Sequence, residues 1–382
     1  MTRKGIARRG LLAAAGGGTA IAALPPAPAG AQAAPAQGGP LELFRMAAAP
    51  TTPTGLALSR DGRMFLFMPR FDDKTVYSVG EVAEDGSVRP WPDEATNRPD
   101  PKRPQDTFFH IPNGVFDAED RLWVLDAGLM ASSGPPVPGA PKLMCFDLGS
   151  GRVMRTILLG PAVEPTSSLN DLRVDARGAF ITDQGQDGQG AVIAVDLASG
   201  RVTRRLARHS STASVKGVLK LVEGQPVRQR RPDGGSSEVQ GGANGIALSA
   251  DGETLFYAPL MGRRLYAVPT ATLLDPQADD AAVAAAVEDL GEKGLTGGLT
   301  ADAAGRVYLT WQEFNAIGVR HPDGRFEQLG SDPRLIWPDT FQIRDGWLYV
   351  NSAQVNRRGS FNGGIDRQQP PYAVFRMRLP AG

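Results

Sequence analysis

One sixteen-residue pattern, written six times, constrains this chain more than any other feature. Its clearest copy runs from Asn244 to Pro259, Asn-Gly-Ile-Ala-Leu-Ser-Ala-Asp-Gly-Glu-Thr-Leu-Phe-Tyr-Ala-Pro. A small or polar residue opens a short apolar strand, a turn containing Gly follows, and a second strand is rich in Leu, Val and aromatics. The other copies begin near Thr54, Asn113, Asn170, Gly297 and Pro338. Five turns carry Gly (Gly62, Gly178, Gly252, Gly305, Gly346), which tolerates the positive φ of a tight strand-to-strand turn. The second copy has Asp120-Arg121 instead.

A single hairpin cannot bury both of its faces, and stacking repeated units solves this. The starts at 54, 113, 170, 244, 297 and 338 are spaced by 41 to 74 residues. A four-stranded propeller blade needs roughly 40–50 residues. The expected fold is therefore all-β, a six-bladed β-propeller over residues 41–382. Alternation in Leu41–Met46 and Tyr372–Leu379 predicts two terminal strands that share one blade and close the ring. Lys142–Leu148 and Ala191–Leu197 read as outer strands. Asp279 or Asp280 as a cap, Val283, Val287 and Leu290 on one face, and Gly291 as a stop predict one helix.

The first ten residues carry Arg3, Lys4, Arg8 and Arg9, and an uncharged Ala/Gly/Leu run follows to about Leu24. With Ala31-Gln32-Ala33 as a cleavage site, residues 1–33 read as a signal peptide, and Arg8-Arg9 before the apolar run makes it a twin-arginine type. Residues 34–40 read as a linker. The expected location is periplasmic or extracellular, with no membrane association after cleavage. The 41 Lys and Arg balance 41 Asp and Glu, and removing the four signal cations leaves −4. That balance gives no footing for nucleic acid. Arg228, Arg230 and Arg231, in the long interval 204–241, have no aromatic platform beside them and read as a solvated hairpin extension. The single cysteine, Cys145, sits in a strand and reads as a buried, inert thiol.

The chain lacks an HExxH pattern, a Cys/His pairing, a Gly-x-Ser-x-Gly elbow and a phosphate loop. Its three histidines, His110, His209 and His321, are far apart. No metal-ligand residue can be assigned. Gly185–Gly190, with Asp183 and Asp187, reads as a turn rather than a calcium loop. The strand-opening residues are the better candidates, because innermost propeller strands line a central channel. Asn113, Asn170, Asn244, Thr296 and Thr340 are predicted to bind a ligand there, and Asp171 and Asp339 to supply catalytic carboxylates if burial raises their pKa. The same oxygen-rich set also suits a divalent cation such as calcium, and Asn and Asp at such positions also satisfy backbone groups.

Several segments together resemble the Yellow/major royal jelly protein family. They are Arg121-Leu122-Trp123-Val124-Leu125-Asp126-Ala127-Gly128, Ser168-Leu169-Asn170-Asp171-Leu172, and Ala191–Leu197 leading to Arg205-Leu206 and His209-Ser210-Ser211. Asn244-Gly245-Ile246-Ala247-Leu248, Leu265-Tyr266-Ala267-Val268-Pro269-Thr270 and Trp337-Pro338-Asp339-Thr340-Phe341 complete the set. The resemblance implies a secreted six-bladed propeller with a small-molecule site at the central channel. Insect relatives include proteins linked to dopachrome conversion and others that bind biogenic amines; bacterial relatives are commonly labelled dopachrome tautomerase-related. This chain departs from the family where Ala353 stands in place of an asparagine, and its single cysteine cannot supply the insect disulfides. The wider gluconolactonase-like propellers bind a divalent cation at the channel mouth, and Pro112-Asn113-Gly114 resembles one of their ligand positions. A metal-dependent lactonase is thus the alternative function.

Overall fold

The computed structural model describes residues 39–380, apart from residue 73. The expected signal peptide over 1–33, and the linker up to residue 38, lie outside the described residues. Six four-stranded antiparallel sheets follow one another along the chain. The first blade holds Gly55–Leu58, Met64–Phe67, Val79–Val82 and Val88–Pro90. The second holds Asn113–Phe116, Leu122–Asp126, Lys142–Phe146 and Val153–Leu158. Leu169–Val174, Gly178–Asp183, Ala191–Asp196 and Val202–Arg205 form the third. Ala243–Leu248, Thr254–Pro259, Arg264–Pro269 and Glu288–Glu292 form the fourth. The fifth comprises Thr296–Ala301, Val307–Trp311, Ala316–Arg320 and Phe326–Ser331. The architecture is the expected six-bladed propeller, and each repeated hairpin supplies the two inner strands of one blade.

The sixth blade closes the ring. Its order is Pro338–Arg344, Trp347–Ser352, Tyr372–Arg378 and, outermost, Glu42–Ala47 from the other end of the chain. The terminal strands pair antiparallel, Leu43 opposite Phe375 and Ala47 opposite Tyr372. Arg376 Nε meets Glu42 Oε1 at 2.6 Å, and the Phe44 ring stands edge-on to Tyr349 at 5.1 Å.

Alternation explains why six hairpins become a ring. Successive side chains on a strand point to opposite faces. In Leu122–Asp126, Leu122 and Val124 pack with Phe65, Phe67 and Trp91 of the first blade, while Trp123 and Leu125 pack with Leu172, Ala179 and Ile181 of the third. Cys145 belongs to the second of these interfaces, and burial pushes its thiol up to about 11, as expected of an inert cysteine. The fifth and sixth blades meet through Tyr308, Ile317 and Val319 against Phe341, Leu348 and Phe375. Each interface is a thin core, so the fold escapes the size limit of a single one.

Two local expectations change. The helix is only Asp280–Ala285, with Asp279 as N-cap accepting from the Ala282 N–H at 2.8 Å. Leu290 and Gly291 lie instead in Glu288–Glu292, the outermost strand of the fourth blade, because pairing with Arg264–Pro269 satisfies a sheet edge that a longer helix would leave open. The turn glycines also differ in use. Gly252 sits at φ +70°, whereas Gly178 is not left-handed; there a Cβ would press on Leu274 and the Val195 carbonyl at 3.1–3.2 Å. In the second copy Asp120 itself takes φ +63°. The interval 204–241 folds into two small hairpins, Leu221–Val222 with Gln225–Pro226 and Arg228–Arg230 with Ser236–Glu238. No helix among the described residues is long and apolar enough to cross a membrane.

Closure by the first strand has a measurable consequence. Deleting residues 1–47 strips the partner from Tyr372–Arg378 and uncovers a sheet edge. We expect the melting temperature to fall by roughly 10 °C or more, with aggregation on heating, checked by calorimetry and light scattering. An unchanged melt would show that the ring is closed without that strand.

Candidate functional site

Most of the channel-lining residues owe their position to a shared irregularity. In four blades the innermost strand breaks register with its neighbour just after it starts. The breaks fall between Leu169 and Asp171, Ala243 and Gly245, Thr296 and Leu299, and Pro338 and Phe341. An extra residue in a strand has no partner opposite and is re-aimed. The residues within or bounding these irregularities include Asn170, Asp171, Asn244, Gly297, Gly298, Asp339 and Thr340. Together with Thr54, Pro112 and Asn113 they line one narrow pocket on the axis.

The structure therefore brings together six of the seven predicted site residues: Asn113, Asn170, Asp171, Asn244, Asp339 and Thr340. Thr296 stays out of the lining. It is fully buried, and its hydroxyl reaches the Gly298 carbonyl at 3.2 Å within its own strand. Gly297 and Gly298 take its place because the bulge moves the register by one position. A side chain at Gly298 would run into the Asp339 carbonyl, so only glycine lets the fifth and sixth blades approach this closely.

The hydrogen bonds divide the site into fixed and uncommitted groups. Asp171 is buried and held by Asn113 Nδ2 at 2.5 Å and by an Arg173 guanidinium nitrogen at 2.9 Å. Arg173 in turn donates to the Leu299 carbonyl at 2.6 Å. Asn244 Nδ2 donates to Gln184 Oε1 at 3.2 Å, and the Asn244 carbonyl accepts from Thr182 Oγ1 at 2.6 Å and from Asn170 Nδ2 at 3.4 Å. Thr340 Oγ1 bonds the Thr54 carbonyl at 2.9 Å, tying the sixth blade to the first. The carboxylate of Asp339 has no hydrogen-bond partner among the described residues.

Electrostatics separates the two aspartates. Burial raises the Asp171 carboxyl above its ordinary value, and Arg173 and Asn113 pull against that rise. Asp339 lacks such partners. Burial, and then the nearby Asp171 charge, push its carboxyl up to about 8, with Lys220 opposing. Lys220 is fully buried, lies 4.8 Å from the Trp337 ring centre and donates to Gln312 Oε1; burial pushes its ammonium down to about 7. No cluster of three or more His, Cys, Asp or Glu side chains able to hold a metal ion occurs among the described residues.

Above the axial pocket opens a cavity of about 460 Å³, which shares Thr54, Asn170, Asn244 and Asp339 with it. Phe71, Trp337 and Phe361 supply aromatic wall, and Gln184, Gln229 and Gln240 supply amides. The interval 204–241 is thus not wholly a solvated extension: its Ser237, Glu238, Val239 and Gln240 face this cavity, and Lys220 is buried beneath Trp337. Arg230 and Arg231 are exposed, as expected. Nothing in the sequence singles out Lys220 or Arg358, since a lone cation in a loop is ordinarily solvated. Trp337 carried a clearer signal as the large apolar residue directly before Pro338-Asp339. It holds φ +52°, a conformation costly for a bulky side chain and often found at functional sites. His110, His209 and His321 have separate partners, the Arg70 carbonyl, Ser211 and Glu327 respectively. Asp183 accepts from the Ser168 and Gly185 amides and from Arg204, so it braces its turn.

Comparison with known proteins identifies the family and the fold. A family profile described as "Major royal jelly protein" matches residues 115–362, and the chain belongs to that family. Major royal jelly protein 3 of Apis mellifera is 27% identical over 174 residues, 44% of this chain and 29% of that protein. Major royal jelly protein 7 of the same species is 31% identical over 172 residues, 41% of this chain and 34% of that protein. The match thus spans about a third of the length of these relatives. Among solved structures, a Xanthomonas campestris gluconolactonase has a TM-score of 0.54 at 15% identity, covering 90% of this chain and 91% of its own. An Agrobacterium tumefaciens regucalcin, described as a calcium-binding protein, has a TM-score of 0.54 at 16% identity, covering 89% and 96%. These structures share the fold.

The raised Asp339 carboxyl links stability to pH. The folded state keeps a proton that the unfolded chain has lost above about pH 4, so this residue's contribution falls as pH rises toward about 8. His110, pushed down to about 4 by burial, slopes the opposite way up to its ordinary range, and Lys220 does so above about pH 7. The difference between Asp339→Asn and wild type isolates the aspartate. We expect the variant to gain at least about 1 kcal/mol relative to wild type between pH 5 and pH 8, measured by urea unfolding. A difference independent of pH would contradict the raised carboxyl.

Proposed function

We propose that this member of the major royal jelly protein family binds a small organic molecule in its central cavity and moves a proton within it. The observation that carries this reading is Asp339, a half-buried carboxyl with no hydrogen bond among the described residues, at the junction of the axial pocket and the cavity. A group titrating near neutral pH suits general acid–base work. In its ionised form Asp339 accepts a proton from an acidic C–H of the ligand, and the resulting carboxylic acid returns a proton to another atom of the same ligand. The sum is a tautomerisation with no redox change. The channel amides of Asn170 and Asn244 border the same space and can orient polar atoms of the ligand. Dopachrome-type conversion, which the family resemblance implies, is one reaction of this class.

The donor set is a poor match for a divalent cation. Asp171 is engaged by Arg173, whose fixed positive charge repels a metal, and Asp339 is mostly protonated at neutral pH. For this reason no step is routed through a metal, and the lactonase alternative gains no support from the residues present.

Turnover of dopachrome, and solvent-deuterium exchange into small ketones, provide the test. We expect Asp339→Asn to lower kcat/KM by about a hundredfold or more, while chelator leaves the wild type unchanged. Activity abolished by chelator and restored by calcium would favour the lactonase reading. Full activity in Asp339→Asn would remove the proton-transfer role.

A further inference from the structure

Arg358 is an unusual cation in this molecule. Its guanidinium carbon lies 3.6 Å from the centre of the Phe71 ring, and the residue lines the central cavity. No hydrogen bond or ion pair engages that guanidinium among the described residues. Its neighbours are treated differently. Arg357 grips Glu223 through two nitrogens at 2.6 and 2.9 Å. Arg70 donates to the Phe109 carbonyl at 3.3 Å and the Thr75 carbonyl at 2.6 Å.

Burial pushes Arg358 down to about 10, so it remains cationic at any physiological pH. Asp72 and Asp366 are close enough to favour its charge, yet neither comes within ion-pair distance. His110, edge-on to Phe71 at 5.6 Å, is held neutral by burial and by the Arg70 and Arg358 charges. The corner around Phe71 is thus cationic, with Arg70 committed to carbonyls and Arg358 without a hydrogen-bond acceptor among the described residues. The remaining carboxyls of the cavity do not answer it: Asp339 is mostly protonated at neutral pH, and Glu238 is exposed on the strand Ser236–Glu238.

A partly desolvated guanidinium without an acceptor is costly, and a planar oxyanion repays that cost with paired charge-assisted hydrogen bonds. We propose that Arg358 is the anion-anchoring residue of the cavity and that the ligand is an aromatic carboxylate. Its carboxylate meets the Arg358 fork, and its ring lies against the aromatic wall of Phe71 and Trp337. This deepens the reading of the cavity as a small-molecule site and rests on it.

Three probes of similar shape separate the possibilities: phenylacetate, its neutral amide phenylacetamide, and the cation phenethylamine, titrated by calorimetry into the full chain. We expect phenylacetate to bind about ten- to hundredfold more tightly than phenylacetamide, and Arg358→Gln to erase that preference. Arg358→Gln should melt within a few degrees of wild type, because among the described residues its guanidinium has no hydrogen bond or ion pair to lose and gives up only the Phe71 contact, and Arg358→Lys should restore part of the preference. Equal binding of acid and amide to wild type, a preference for the amine, or a preference that survives Arg358→Gln overturns the assignment. If the amide or amine binds and phenylacetate does not, the cavity remains a ligand site and only the anion anchor fails. Silence from all three at millimolar concentration removes both.

Discussion

A two-faced strand pair must find apolar cover on both sides, and everything else in this molecule depends on that requirement. Leu122 and Val124 need the first blade as much as Trp123 and Leu125 need the third. Repeating the demand six times leaves two open flanks, and only a closed ring satisfies both. Closure brings Glu42–Ala47 beside Tyr372–Arg378, which are more than 300 residues apart in the chain. The ring also forces six strand starts toward one axis. Loops at those starts cannot spread apart, so their polar side chains share a small volume.

That confined volume explains the chemistry. In four of the six blades the inner strand starts with a bulge where a regular ladder would leave side chains pointing into blade interfaces. The bulged residues instead project toward the axis. Two carboxyls arrive there, and their surroundings set them apart: Asp171 has Arg173 and Asn113, whereas Asp339 has no hydrogen-bond partner among the described residues. Water cannot solvate Asp339 freely, Asp171 repels its charge, and the proton stays on it to an unusually high pH. Gly298 makes the arrangement sterically feasible by letting the Asp339 backbone approach the fifth blade.

Much of this was legible in the sequence because hairpin periodicity and strand-opening position are local properties. The six copies predicted the blades, and the terminal alternation predicted the closing strand. Asn113, Asn170, Asp171, Asn244, Asp339 and Thr340 were placed at the channel by equivalence between repeats, and they line it. Thr296 shows where that reasoning stops, since the bulge at Gly297-Gly298 shifts the register by an amount that no propensity encodes. The stretch up to Leu290 reads as helix because its apolar spacing ignores the open sheet edge beside it. Lys220, Arg358 and Phe71 were invisible for a different reason. They come from connections between strands, and only the assembled ring decides which loop residues lose their water.

Ring closure delivers to the cavity a carboxyl that holds its proton near neutral pH. The most direct test is a carboxyl-carbon NMR titration of protein labelled at aspartate, with the Asp339 resonance assigned by its loss in Asp339→Asn. We expect a midpoint near 8. A midpoint in the ordinary aspartate range, near about 4, would contradict it.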